Sequence, residues 1–233
     1  DERGGRKQIT ADQFFAHFDE RGRLEKFMAY PHARLEVHHR SSVDSRPTNE
    51  RRSESDQITA FFNSSDGSLV RLEQVGHFRY FEGDRRGRAE RGDYSTANQE
   101  FVLSGDPVFW DSTSRLTAKK IILNELTNTA RAAGNVRGTH LSDHRLKDSH
   151  IGEHHELIPS NIIADSAILW GEAQNVRYEG GVRAWRGQNV ITSSVLQVFI
   201  ADRKVEAKGN VSTSYAQRIP WTEPTGRSFP VSI

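Results

Sequence analysis

The chain has 233 residues and a formal net charge of +1, enough for one large β domain or two small ones, with no global field to draw it to nucleic acid. It has no cysteine, which excludes disulfides, thiolate catalysis and Cys-based zinc sites. No run of about 18 apolar residues is present, so no membrane-spanning helix is expected, and a mean hydropathy of −0.70 suits a thin, elongated fold.

In chain order, Asp1–Lys7 is polar and charged; no signal peptide or membrane anchor is expected within this chain. Gln8–Ala11 reads QITA, and the phrase returns as QITA at Gln57–Ala60, RLTA at Arg115–Ala118 and VITS at Val190–Ser193. The repeat makes Asp12–Phe18 a strand, closed by the turn DERGR at Asp19–Arg23. Arg40–Asp56 reads as a polar insertion. Ile58, Ala60 and Phe62 alternate with Thr59 and Phe61, the period-two pattern of a half-buried strand. The turns NSSDGS at Asn63–Ser68 and EGDRRGR at Glu82–Arg88 flank the return strand that holds Gly76. The segment Phe101–Trp110, FVLSGDPVFW, is echoed by VRYEGGVRAW at Val176–Trp185. Thr139–Asn161 reads as a second insertion. Val205, Ala207, Gly209 and Val211 alternate with polar residues, and the tail 219–233 is proline-rich and expected to form no strand.

These phrases make a repeat, the feature to seek first in a chain of this kind. Thr59 and Thr117 are 58 apart, as are Gly76 and Gly134; Gly209 lies 75 beyond Gly134, and Gly180 lies 75 beyond Gly105. Matching Val108 to Val182 and Leu116 to Val190 shortens the spacing to 74, which implies a β-bulge after the glycines. The first unit, from Ile9 to Leu35, keeps the opening phrase and the turn but lacks Gly-Asn-Val. The fold expected is all-β: a single domain over 1–218, an elongated antiparallel stack of strand-turn-strand units open at both ends, with insertions at about 40–56 and 139–161.

The stretches Ala89–Trp110, Arg115–Leu123, Ala130–Val136 and Ala164–Val211 resemble the OstA-like proteins of lipopolysaccharide transport, the family of the periplasmic bridge protein LptA, its partner LptC and the N-terminal domain of LptD. The resemblance covers roughly Ile9–Tyr215; the two insertions depart from it. It implies a twisted β-jellyroll in the periplasm whose apolar groove carries the acyl chains of lipopolysaccharide or a related glycolipid. It implies no enzyme activity and no cofactor. It also implies homologous jellyrolls as partners through edge strands, or head-to-tail self-association. The edges are expected near Ile9–Phe18 and Lys204–Tyr215.

By alternation, the residues expected to point between the sheets are Ile58, Ala60, Phe62, Leu72, Phe78, Leu103, Val108, Trp110, Leu116, Ala118, Ile122, Val136, Tyr178, Val182, Leu196, Val205 and Val211. They either line a lipid groove or fill a core; the second possibility corresponds to a structural β-repeat or surface protein with no lipid ligand. A hydrolase on a β scaffold is a third class, but no nucleophile elbow, P-loop or dinucleotide fingerprint is present. Arg85, Arg86, Arg88 and Arg91 are candidates for lipid-headgroup phosphates, or a solvated hairpin turn. His150 and His154 have metal-ligand spacing, but Gly152 and Pro159 make their segment a loop, and no metal is expected.

Overall fold

The computed structural model describes residues 6–38, 51–145, 155–171, 173–216, 219–222 and 228–231. They form antiparallel strands, and no helix occurs among them. Two sheets run the length of the molecule. The first contains, in spatial order, β2 (Gln13–Phe18), β3 (Leu24–Tyr30), β6 (Gln57–Phe62), the first half of β7 (Leu69–Glu82), the second half of β8 (Arg85–Ser95), β9 (Glu100–Ser104) and β12 (Lys120–Asn124). It continues through the first half of β13 (Thr129–Arg145), the second half of β14 (His155–Trp170), the first half of β15 (Asn175–Arg186), the second half of β16 (Asn189–Phe199) and β17 (Lys204–Lys208). The second sheet begins with β1 (Arg6–Thr10), β4 (Ala33–His38) and β5 (Arg51–Ser55), and takes the other halves of the same long strands. Between them it inserts β10 (Val108–Trp110) and β11 (Ser114–Thr117), and it ends at β18 (Ser212–Ser214).

Each long strand therefore passes from one sheet to the other at a corner, and the corners repeat one device. On one strand a small residue precedes a polar one: Ala11–Asp12, Ser55–Asp56, Ala89–Glu90, Ala118–Lys119, Ala164–Asp165 and Ser193–Ser194. On the neighbouring strand two consecutive residues have positive φ: Gly76–His77, Gly105–Asp106, Gly134–Asn135, Gly180–Gly181 and Gly209–Asn210. The polar residue donates its N–H to the glycine carbonyl, at 2.9 Å for Asp56 on Gly76, 2.9 Å for Lys119 on Gly134 and 2.7 Å for Ser194 on Gly209. Left-handed geometry suits glycine, followed by Asn, Asp or His. At Gly105 a Cβ would lie 2.5 Å from Glu90 Cβ, so the close approach also demands glycine.

The corner glycines 76, 105 and 134 follow at intervals of 29 residues, and 180 and 209 do so again. The sequence spacing of 58 is thus two units. The interval from 134 to 180 is longer because β13 and β14 form an elongated hairpin. The expected insertion at 139–161 is largely that hairpin, and residues 146–154 lie outside the described residues. The other expected insertion, 40–56, includes β5, which is paired on both sides. The tail contributes β19 (Ile219–Thr222) and β20 (Ser228–Val231), a separate hairpin rather than the strand-free segment expected: Pro220 faces Pro230, and proline is tolerated in strands lacking further neighbours.

The QITA phrases are not equivalent. Ala11, Ala118 and Ser193 each precede a corner, whereas Gln57–Ala60 follows one; Ser55 holds the matching position in that unit. The expected slip to 74 is also absent. Pro107, fully buried, occupies the place of Val182, both two residues past the corner glycine.

At the second corner His77 Nδ1 lies 2.8 Å from Asp56 Oδ2. The hydrogen bond and charge of Asp56, with Glu90 behind it, raise the His77 pKa above 6.5. The protonated imidazole is therefore favoured in the folded chain. Its contribution is complete below the unfolded pKa and is lost as pH rises through the folded one. A histidine NMR titration should find His77 above the ordinary value, and Asp56→Asn should bring it down.

Candidate functional site: an apolar groove between two sheets

Period-two alternation gives each sheet one apolar face, and the two faces meet along the corners. Three clusters follow one another along the molecule. Ala29, Ala33, Ile58, Ala60 and Leu72 form the first, with Phe27, Phe62 and Tyr94 against it. Phe78, Ala89, Leu103, Ala118, Ile121, Ala132, Val136 and Ala167 form the second. Ala164, Val182 and Leu196 form the third, and Tyr178 packs on both of the last two. Tyr94 and Phe101 are cross-strand partners that join the first cluster to the second. The rings of Phe78 and Phe101, from opposite sheets, have centroids 5.5 Å apart. The corner side is thus filled, while Tyr80, Phe101, Phe109, Leu116 and Leu123 are only half-buried.

Both ends are open. Phe14 and Phe18 of edge strand β2 are 49% and 54% exposed, and at the other end Val205 and Val211 are 54% and 49% exposed. No further strand pairs with β2 and β1 at one end, or with β17 and β18 at the other, among the described residues.

The described hairpin turns of each sheet lie at the strand ends away from the corners. Arg51 on the second sheet donates to Glu82 at 2.6 Å and reaches Glu125, on a turn of the first sheet, at 3.3 Å. The Tyr80 hydroxyl donates to the other oxygen of Glu82 at 3.0 Å. Burial acts to raise the Glu82 pKa, but Arg51, the Tyr80 hydroxyl and Arg85 outweigh it and hold the carboxyl below 4.5. Burial, with the charge of Glu82, pushes the Tyr80 hydroxyl well above its usual value. This polar network links the second sheet to a turn of the first.

Most of the expected inward residues lie in the clusters: Ile58, Ala60, Phe62, Leu72, Phe78, Leu103, Leu116, Ala118, Val136, Tyr178, Val182 and Leu196. Three face the other way. Ile122 lies on the outer face, because its neighbours Ile121 and Leu123 pack inward. Val108 and Trp110 lie on the outer face of the second sheet, because Phe109 between them packs on Tyr80 and over Gly87. The four arginines are not brought together. Arg91 pairs with Asp93 and Glu73, whereas Arg85 lies near Glu82. Arg86 donates to the carbonyls of Gly83 and Arg85, and it and Arg88 stand on the outer face beside Val108 and Trp110. His150 and His154 lie outside the described residues; His140 is within 2.9 Å of Ser114 Oγ. Sequence reasoning missed Phe101, Phe109 and Ile121. Phe101 was legible as the residue two before Leu103.

Comparison with known proteins gives three findings. The sequence model for "LptA/(LptD N-terminal domain) LPS transport protein" matches residues 3–129. No curated protein matches the chain significantly. Among solved structures, the chain is similar to LptH from Pseudomonas aeruginosa, the LptA homologous periplasmic component of the lipopolysaccharide transport device; identity is 11%, the TM-score is 0.47, and the match covers 56% of this chain and 94% of that one. The family match extends from the N-terminal edge through β12, beyond which the same corner device continues into β16 and β17, and the chain belongs to the LptA/(LptD N-terminal domain) LPS transport protein family.

Proposed function

We propose that this chain is a non-enzymatic carrier of lipopolysaccharide in the periplasm, holding acyl chains in the groove between its sheets as one part of a protein bridge. The observation that supports this most is a continuous apolar inner face from Ala29 to Leu196, exposed at both open ends. Such a face is predominantly apolar and would shield acyl chains from water along its length. A photo-crosslinking residue at Leu116, half-buried on the inner face, is expected to capture lipopolysaccharide in cells, whereas one at Ile122, on the outer face, is expected not to. Equal capture at both positions would remove the groove from the reading.

The packing of Phe78 on Phe101 favours a second reading, a structural β-repeat with a filled core. It predicts no adduct at either position.

The unpaired edges support the partner half of the proposal. β17 and β18 present backbone donors and acceptors to a homologous jellyroll or to the β1–β2 end of a second copy. Such a heterologous contact does not close, so light scattering should show a ladder of sizes that grows with concentration. Lysine at both Val205 and Val211, which are exposed, should collapse the ladder without unfolding the chain. A ladder unchanged by the two lysines would place the contact elsewhere.

A further inference from the structure

The outer face of the second sheet carries chemistry that the groove does not use. Across five neighbouring strands the paired positions read Arg52, Phe81, Arg86, Trp110 and Arg115, alternately cationic and aromatic. Arg52 and Arg86 are both engaged with the Phe81 ring, at 4.4 and 5.5 Å. No cation covers Trp110 among the described residues. Beside it lies a depression of about 410 Å³ lined by Trp110, Arg88, Arg115, Leu141 and the hydroxyl-bearing turn Ser112–Thr113, within the size range of small-ligand sites, roughly 300–1,000 Å³. Arg88 and Arg115 make no ion pair or hydrogen bond among the described residues. Asp111 shapes the turn: its Oδ1 accepts the N–H groups of Thr113 and Ser114, each at 2.7 Å.

We propose that this depression binds an anionic sugar unit, one bearing a phosphate or a carboxylate. An indole presents an electron-rich face to the C–H groups of a sugar ring. Two unpaired guanidinium forks match a phosphate or carboxylate at its edge. The hydroxyls of Ser112 and Thr113 donate to Asp84 Oδ2 at 3.1 Å and to Asp111 Oδ1 at 3.0 Å, which leaves their lone pairs, and the second oxygen of Asp111, to accept from sugar hydroxyls. Concavity decides against a membrane surface: a flat bilayer would need Trp110 to protrude, and it forms the wall of a recess. The site is separate from the groove and does not depend on acyl chains being carried there.

Calorimetry on the full chain tests the proposal with probes that have no acyl chains: oligogalacturonate for a carboxylated sugar, glucose 6-phosphate for a phosphorylated one, and maltotetraose as the neutral control. Binding of either anionic sugar is expected, with maltotetraose at least tenfold weaker. Trp110→Ala and Arg115→Ala should each weaken binding about tenfold, and Trp110→Phe should keep most of it. These side chains are exposed, and unchanged circular dichroism of each variant confirms the fold. Four results would overturn the assignment: inorganic phosphate binding as tightly as glucose 6-phosphate, which means an adventitious ion only; equal binding of maltotetraose; variants that bind like the parent chain; or binding confined to phosphatidylglycerol vesicles. A failure of lipid crosslinking at Leu116 would leave all of these outcomes unchanged.

Discussion

Phe78→Ala should destabilise the chain by about 3–5 kcal/mol, as large-to-small changes at buried aromatics do. Phe78 has no exposed surface and is the largest fully buried side chain among the described residues. It stands in β7 just past the Gly76–His77 corner, where the strand passes from one sheet to the other. Its ring packs on Phe101 of the other sheet, and it presses so near Gly92 that a Cβ there would lie 3.2 Å from its Cδ2. Truncation removes contacts from both sheets at once, and the corner, fixed by the 2.9 Å bond from Asp56 to Gly76, prevents the walls from closing on the void. Phe78→Asp should be worse, since it puts a carboxylate at a position with no exposed surface, among the apolar side chains of the second cluster. Ile122→Ala, on the outer face, should cost far less. Urea denaturation would show the midpoint falling with an unchanged slope. A loss for Phe78→Ala no greater than that for Ile122→Ala would mean that the two sheets do not share a core there.

How far the fold was legible follows from the corners. Alternation is legible in strands such as Gln57–Phe62 and Lys204–Lys208, where apolar and polar residues take turns, but not in β5, RRSES, or β18, STS, which have no apolar face. It failed at particular places, for a reason in the backbone. A Gly–X corner inserts two residues, an even number, so alternation resumes in phase: Leu103 and Phe109 both point inward, as do Tyr178 and Val182. Assuming a slip of one there turned Val108 and Trp110 the wrong way. A small–polar corner shifts the phase by one: Ala118 and Ile121 point inward, as do Ser55 and Ile58, Ala164 and Ala167, and Ser193 and Leu196. Carrying alternation through Lys119 unchanged put Ile122 inside. The outer-face depression is illegible in the sequence for the same reason, since alternation with the one-residue slip places Trp110 in the groove. The contact from Arg51 to Glu125 joins residues 74 apart in sequence, and no local pattern announces it.

The corner glycines give the second large effect. Gly105→Ala should cost about 1–2 kcal/mol for placing a Cβ at positive φ, and the crowding adds about 1–3 kcal/mol. The φ of Gly105 is +77°, and an added Cβ would lie 2.5 Å from Glu90 Cβ and 2.7 Å from its Cγ. Neither Glu90 atom is the free end of a flexible chain, so the strands themselves must part. Gly67→Ala separates the two costs: its φ is +70°, but nothing lies within 4 Å of the added Cβ, so it should show the conformational cost alone. The excess at Gly105 should then depend on Glu90. In the double variant Gly105→Ala with Glu90→Gly the obstructing side chain is gone, and a double-mutant cycle should show favourable coupling of about the size of the crowding cost. If Gly105→Ala and Gly67→Ala cost the same, or the two changes at Gly105 and Glu90 simply add, close approach at the corner does not hold the sheets at their spacing. With coupling, the corner sets the width of the groove: a Cβ that forces β8 and the β9–β10 corner apart must also move Phe78, Ala89 and Leu103, which flank that corner on the inner face.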